Sequence, residues 1–290
     1  MALENHPSID YLAIGHLACD IAPDGNQLGG TVAYAALTAT ALNQCVGIVT
    51  AIGDDIPLTP IEHLPCVGIR VLKSTTFENR TTPKGRIQTL HHHAPMLHPE
   101  MLPSEWYTAP LVHIGPIAHE IDPALLDCFP QAFIGLTPQG WLREWDDAGR
   151  VYPSDWPEHT EILPKVQAAV LSLEDVASDE ALIRAMAAAC PILVITEGAH
   201  GARLYVRGVP AYIPTQPVPE IDATGAGDIF ATAFFICLHR TGDPFAAAHF
   251  ATRLASHSVI RPGLTGIPTP EEVHALENTH LLQYAVEHLV

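Results

Sequence analysis

The feature that most constrains this fold is a recurrence of short apolar runs, bounded by turn residues and separated by alanine-rich stretches. Residues 9–15 (IDYLAIG) and 46–53 (VGIVTAIG) are two such runs. Between them, residues 28–43 (LGGTVAYAALTATALN) open on two glycines and have helical character. Short apolar runs closed by glycine fit buried strands, and the order strand, glycine loop, helix, strand predicts a parallel α/β sheet. The rhythm returns at 111–115, 132–137 and 168–173, then as a helix over 178–189 and a strand over 191–196. A hairpin is predicted over 202–213, with helices over 227–240 and 243–260. A last helix is predicted after Thr269, where Glu272 stands at the capping-box position.

Residues 67–94 break the rhythm. They are β-branched and polar, with a TTPKG turn at 81–85 between two strand candidates. This predicts a hairpin lying as a lid on the sheet edge. Residues 137–159, rich in Trp and Pro, read as a long loop. The 290 residues suffice for one large domain, so a single domain over 1–290 is expected, with lid elements around 16–28 and 67–94.

Charge and composition narrow the function. The formal charge of −18 argues against a nucleic-acid surface, which needs clustered Lys and Arg. No run of about 18 apolar residues exists, so no membrane span is expected. The six cysteines are scattered without a CxxC, and the N-terminus lacks a signal-peptide pattern. Reduced thiols in a cytoplasmic protein are the expectation.

The chemistry concentrates in residues 221–239 (IDATGAGDIFATAFFICLH). Gly225 and Gly227 permit backbone conformations and close approaches that other residues forbid. A helix starting near Gly227 would aim unpaired N–H groups and its positive dipole end outward, which makes an anion hole suited to phosphate. The helix is apolar all round and therefore predicted to be buried. Asp228 would repel a bound phosphate unless it has a task of its own, and the natural task is to take a proton from an attacking hydroxyl. A plain helix-capping acid is the alternative.

Other chemistries lack their motifs. No lysine follows a glycine, so no P-loop is present. The one GxG lies late and is followed by Phe230 where a dinucleotide site expects Gly or Ala. No GxSxG elbow appears. His91–His93 and His98 suggest a metal site only weakly, because no HExxH or Cys partner accompanies them.

The segment DATGAGD (222–228) resembles the C-terminal signature of the ribokinase-like (PfkB) family of carbohydrate kinases. LGGTVAYAA (28–36), TEGAHGARLY (196–205) and SVIRPGLTGIP (258–268) are similar to other family segments, so the resemblance runs from about residue 9 to 270. It implies a three-layer αβα fold with a mostly parallel sheet and a small β lid. It also implies ATP and Mg²⁺ as cofactors, with K⁺ a further candidate. Asp228 is then the catalytic base, with Gly225, Ala226 and Gly227 supplying anion-hole amides. Asp20 matches the substrate-binding acid, and Gly29 and Gly30 let the substrate approach. Thr196, Gly198, Gly201 and Thr224 border the nucleotide. Asp222 matches a monovalent-cation position, with carbonyls near Val259 and Gly263.

Three departures stand out. The family's Asn-x-x-Glu near Mg²⁺ is Ser172-x-x-Asp175 here, acting on the metal through water, and Glu174 competes with Asp175 for the role. The Lys and Asn that follow Gly-Gly in ribokinases proper are absent, and Ala18 replaces an Asn of many ribose kinases. Ribose therefore loses support. The segments STTFENR, GRIQTL, HIGPIAHEI and TPQGWLREWDDAGRV resemble a branch that includes plant myo-inositol kinases. Within it, Glu78 and Asn79 would face the substrate, and Arg86 or Arg143 would hold an oxygen or phosphoryl group. Only three lysines occur, so a neutral polyol or sugar is expected rather than a phosphosugar. A nucleoside kinase of the same fold, or a catalytically weak sugar- or nucleotide-binding regulator, is the alternative. The resemblance also implies a homodimer formed through the lid.

Overall fold

A computed structural model describes residues 7–23, 25–82 and 85–276 of the chain. Its main sheet has nine strands. In chain order these are β1 (Tyr11–Ile14), β4 (Val46–Gly53), β5 (Cys66–Val71), β8 (Leu111–Ile114), β9 (Phe133–Leu136), β12 (Ala168–Ser172), β13 (Ile192–Thr196), β14 (Ala202–Val206) and β15 (Val209–Ile213). The spatial order is β15-β14-β13-β12-β9-β8-β1-β4-β5. Every pair from β13 to β5 is parallel, and β14 and β15 close one edge antiparallel.

The central strands are buried on both faces, which is why they read as unbroken apolar runs. Tyr11 and Ala13 point into one core beneath the helices α1 (Thr31–Ala41), α4 (Ala226–Thr241) and α5 (Pro244–Ser258). Leu12 and Ile14 point into the other, against α3 (Glu180–Ala189), the single-turn α2 (His159–Ile162) and several short 3₁₀ turns. The amphipathic α3 buries Ile183, Met186 and Ala187, and is capped by Asp179, which accepts from the N–H groups of Ala181 and Leu182. The predicted capping box exists: Thr269 N–H donates to Glu272 Oε2 at 2.9 Å, and Glu272 N–H donates to Thr269 Oγ1 at 3.3 Å.

A second sheet of four strands stands over one end of the first. It joins β2 (Ala18–Ala22), β3 (Gly25–Gly29), β6 (Thr75–Thr82) and β7 (Gly85–His92) in the order β3-β2-β6-β7. Residues 67–71, read with the hairpin in the sequence, belong instead to the main sheet, within its edge strand β5. Residues 137–159 are more ordered than a loop. They hold a 3₁₀ turn over Pro138–Leu142 and a hairpin of β10 (Arg143–Trp145) and β11 (Val151–Pro153). Trp141 and Trp156 are buried with ring centroids 5.5 Å apart. The Gly149 carbonyl of this hairpin accepts from the Leu90 N–H of β7 at 2.8 Å, tying it to the lid.

Candidate active site

The C-terminal ends of β9, β12 and β13, the start of α4 and the inner face of the lid enclose a cavity of about 590 Å³. Its floor is the loop before α4. Gly225 caps this helix with φ +77°, in the left-handed region. A Cβ there would sit 2.1 Å from a Tyr34 ring carbon, so glycine is required both by conformation and by space. Gly227 differs. Among the described residues, no atom outside its chain neighbours and its own helix backbone lies within 4 Å of where its Cβ would be, so neither packing nor conformation demands glycine, and the space beside it is open to a ligand. The Ala226 N–H donates to the Ala223 carbonyl at 3.1 Å. That leaves the amides of Gly225 and Gly227, which have no partner among the described residues, as donors at the helix start.

Asp228 follows in the first turn, half-buried on the cavity wall. Burial pushes its carboxyl up from 3.8 to about 6. A hydrogen bond from the Thr31 side chain and the charge of Arg143 act against this, while Asp175 and Asp20 add to it. An acid poised near neutrality fits a proton acceptor better than a mere cap.

Asp20 borders the same cavity from β2. Diagonally across the β2–β3 pair, a Cβ on Gly29 would lie 1.9 Å from Asp20 Oδ2. Gly29 thus seats the carboxylate and does not itself line the cavity. Gly30 does line it, with φ +86° and no space for a Cβ beside the His16 carbonyl at 2.7 Å. Asn79 faces inward from β6, and its cross-strand partner Gln88 donates to Asn79 Oδ1 at 2.9 Å. Alternation turns Glu78 to the outer face, where it pairs with Arg80 and His91. Arg143 lines the cavity from β10; the side chain of Arg86 lies outside the described residues.

Ser172 and Asp175 form a closed pair: Ser172 N–H donates to Asp175 Oδ2 at 2.8 Å and Asp175 N–H to Ser172 Oγ at 3.1 Å. Gln139 Nε2 donates to the other Asp175 oxygen at 3.0 Å. Glu174 is exposed at the same rim. Thr196, Gly198 and Thr224 border the main cavity, whereas Gly201 borders a second one of about 220 Å³. This second cavity is walled by Val218, Phe230 and Ala255 among others. It shares Thr196, Gly198, Ala226 and Gly227 with the first. Asp222 staples two loops, accepting from the Thr224 N–H at 2.9 Å and the Gly263 N–H at 2.8 Å.

The histidine run is divided among separate structural contacts. His91 bonds Glu78, His92 the Ser74 carbonyl and His93 the Ala118 carbonyl. Among the described residues no group of three or more His, Cys, Asp or Glu could hold a metal ion, and no helix is long and apolar enough to cross a membrane. Thr31, Gln88 and Gln139 went unnoticed in the sequence. Thr31 stands directly after the Gly-Gly pair, but Gln88 reaches the cavity through strand pairing and Gln139 through the 3₁₀ turn after β9, and neither has a local signal.

Residues 158–271 match the family model described as pfkB family carbohydrate kinase. The chain is 45% identical to a ribokinase of Bacillus subtilis over 29% of each chain. It is 28% identical to a cytidine kinase of Thermococcus kodakarensis, covering 78% of this chain and 87% of that protein. Among solved structures, a pyrophosphate-dependent kinase in the ribokinase family, complexed with a pyrophosphate analog and myo-inositol, superposes with a TM-score of 0.72. It has 18% identity and covers 91% of this chain and 99% of its own. At that identity the likeness shows the ribokinase-like fold.

Proposed function

We propose that this chain, which belongs to the pfkB family of carbohydrate kinases, transfers the γ-phosphoryl group of ATP, with Mg²⁺, to a hydroxyl of a small neutral polyol or sugar. One observation carries the reading: a near-neutral carboxyl, Asp228, shares a cavity with the Asp20 carboxylate and stands one residue from free helix-start amides. Asp20 accepts hydrogen bonds from the acceptor's hydroxyls. Asn79, Gln88 and Arg143 surround the acceptor from the lid and the β10 hairpin. Asp228 takes the proton of the attacking hydroxyl, and the amides of Gly225 and Gly227 hold the charge of the transferring group. The lid excludes water, so ATP is not spent on hydrolysis.

The smaller cavity supports a nucleotide donor. It is mainly apolar, opens beside the anion loop and has the size for a nucleobase, which a pyrophosphate donor would not need. When bound, Mg²⁺ would neutralise charge on the donor phosphates. Asp175, with both oxygens already engaged, fits a metal held through water, with Glu174 beside it. Asp222 with carbonyls near Val259 and Gly263 offers an all-oxygen set suited to K⁺. The lid's outer face, where Ile21 is exposed on β2, is the candidate homodimer contact, to be checked by sedimentation.

A nucleoside acceptor is the second reading. Phe77 and Ile117 give the acceptor side an apolar wall, and the cytidine kinase relative aligns over most of the chain. The test is an ATP-consumption screen with myo-inositol, ribose, fructose, adenosine and guanosine, repeated with pyrophosphate. Acceptor-dependent turnover that disappears in Asp228→Asn supports a kinase. Acceptor binding by calorimetry without turnover would replace it with a sugar- or nucleotide-binding regulator.

A further inference from the structure

One hydroxyl on the cavity wall has its hydrogen-bonding direction set from inside the core. Tyr11 on β1, His113 on β8, Thr137 at the end of β9 and Thr232 on α4 are all buried. The Thr232 hydroxyl donates to the Asp228 backbone carbonyl at 2.8 Å, so it has no proton left for Tyr11. The Tyr11 hydroxyl lies 2.6 Å from His113 Nδ1 and 3.4 Å from Thr232 Oγ1. Its single proton is assigned to the 2.6 Å contact, because 3.4 Å lies beyond the usual O–H···O range. Burial raises the Tyr11 phenol and lowers the His113 imidazole to about 3, so both are neutral at any working pH. A neutral imidazole that accepts at Nδ1 carries its proton on Nε2, and Nε2 lies 2.9 Å from Thr137 Oγ1. Thr137 therefore accepts from His113 and keeps its own proton. Thr137 lines the main cavity, as do Ile117, Gln139 and Arg143. It is also close to Thr31, the partner of the base: a Cβ on Gly115 would lie 2.6 Å from Thr31 Cγ2 and 3.3 Å from Thr137 Oγ1.

We propose that Tyr11 and His113 are positioning residues that make the Thr137 hydroxyl an obligate hydrogen-bond donor to an oxygen of the bound acceptor. The assignment rests on the kinase reading of the cavity. It takes Thr137 to face the acceptor, on a cavity that Asp20, Asn79 and Arg143 also line. The chain of bonds runs one way, from Tyr11 through His113 and Thr137 to the ligand. A group that can only donate, such as an ammonium, is refused at that position because it would leave the buried Thr137 proton unpaired.

Two measurements test this. In protein labelled with ¹⁵N-histidine, the His113 ring, identified by its loss in His113→Asn, should carry its proton on Nε2 with Nδ1 unprotonated from pH 6 to 9. A proton on Nδ1, or on both nitrogens, overturns the proposal. In the acceptor screen above, Thr137→Val should raise KM about 5- to 10-fold for whichever acceptor the wild type turns over best, with the ATP KM unchanged. Thr137→Ser should restore it. Tyr11→Phe, which deletes one atom, should move the same KM, and the double variant should be no worse than Thr137→Val alone. Wild-type kinetics in Thr137→Val, or a change confined to the ATP KM, would overturn the proposal. If the wild type turns over no acceptor, the kinase reading falls, and the ring signal still decides the bond direction independently.

Discussion

Replacing Asp228 by Asn separates the chemistry of the base from its cost to the fold. The folded protein holds this carboxyl at about 6 against an ordinary 3.8, so the native state favours the protonated form. Stability is therefore lost as pH rises from about 4 to 6, and the full penalty persists above 6. A rise from 3.8 to about 6 corresponds to roughly 3 kcal/mol. Because Asp228 is half-buried rather than sealed, about 1–2 kcal/mol is the better expectation. Asn has no charge to desolvate and can still accept from Thr31. Asp228→Asn should thus melt higher than wild type at pH 8, by about 2–6 °C for a chain of this size, and the gain should disappear near pH 4. In the same protein, turnover should fall about 10²- to 10⁴-fold, the usual contribution of a general base. Thermal melts at pH 4, 6 and 8, with initial rates alongside, make the test. A variant that is inactive yet no more stable at pH 8, or equally stabilised at pH 4, would refute the picture of a buried, poised base.

Other consequences follow from single contacts. In wild type, kcat/KM should rise through pH 6 and then level off, and Arg143→Gln should move that limb to higher pH, because the Arg143 charge holds the Asp228 carboxyl down. Gly225→Ala forces a Cβ to 2.1 Å from the Tyr34 ring at φ +77°; it should destabilise by about 2–4 kcal/mol, read from denaturant midpoints, and abolish turnover. Gly29→Ala drives a methyl into the Asp20 carboxylate at 1.9 Å, so the acceptor KM should rise while the ATP KM holds. Ala255→Phe fills the smaller cavity; it should raise the ATP KM at least about tenfold and leave any turnover with pyrophosphate untouched.

The parallel sheet was legible because strands buried on both faces leave a continuous apolar record, and Gly225–Asp228 because four consecutive residues carry their own geometry. What escaped was set by pairing between distant segments. β5 is an edge strand with only partly buried residues, so its sequence resembles that of the lid strands. The Trp-rich stretch buries its indoles by packing back on the body, which composition alone does not predict. Gly29 looked like a concession to the substrate, yet it makes room for Asp20, a relation visible only once β2 and β3 are paired.

A subtler signal did stand in the sequence. IDYLAIG and LVHIG each place one polar ring in a strand otherwise made for the core. A buried polar side chain is retained only when it is hydrogen-bonded, so two such residues in neighbouring strands already imply a shared network. The parallel register of β1 and β8 pairs Ala13 with His113, which brings the Tyr11 hydroxyl to Nδ1 and leaves Nε2 for Thr137 at the strand ends. Ligands in open α/β sheets bind beyond the carboxyl ends of the strands. A polar ring one turn of pleat below those ends is therefore placed to act on the site, and among the described residues its Nε2 partner is the threonine on the cavity wall.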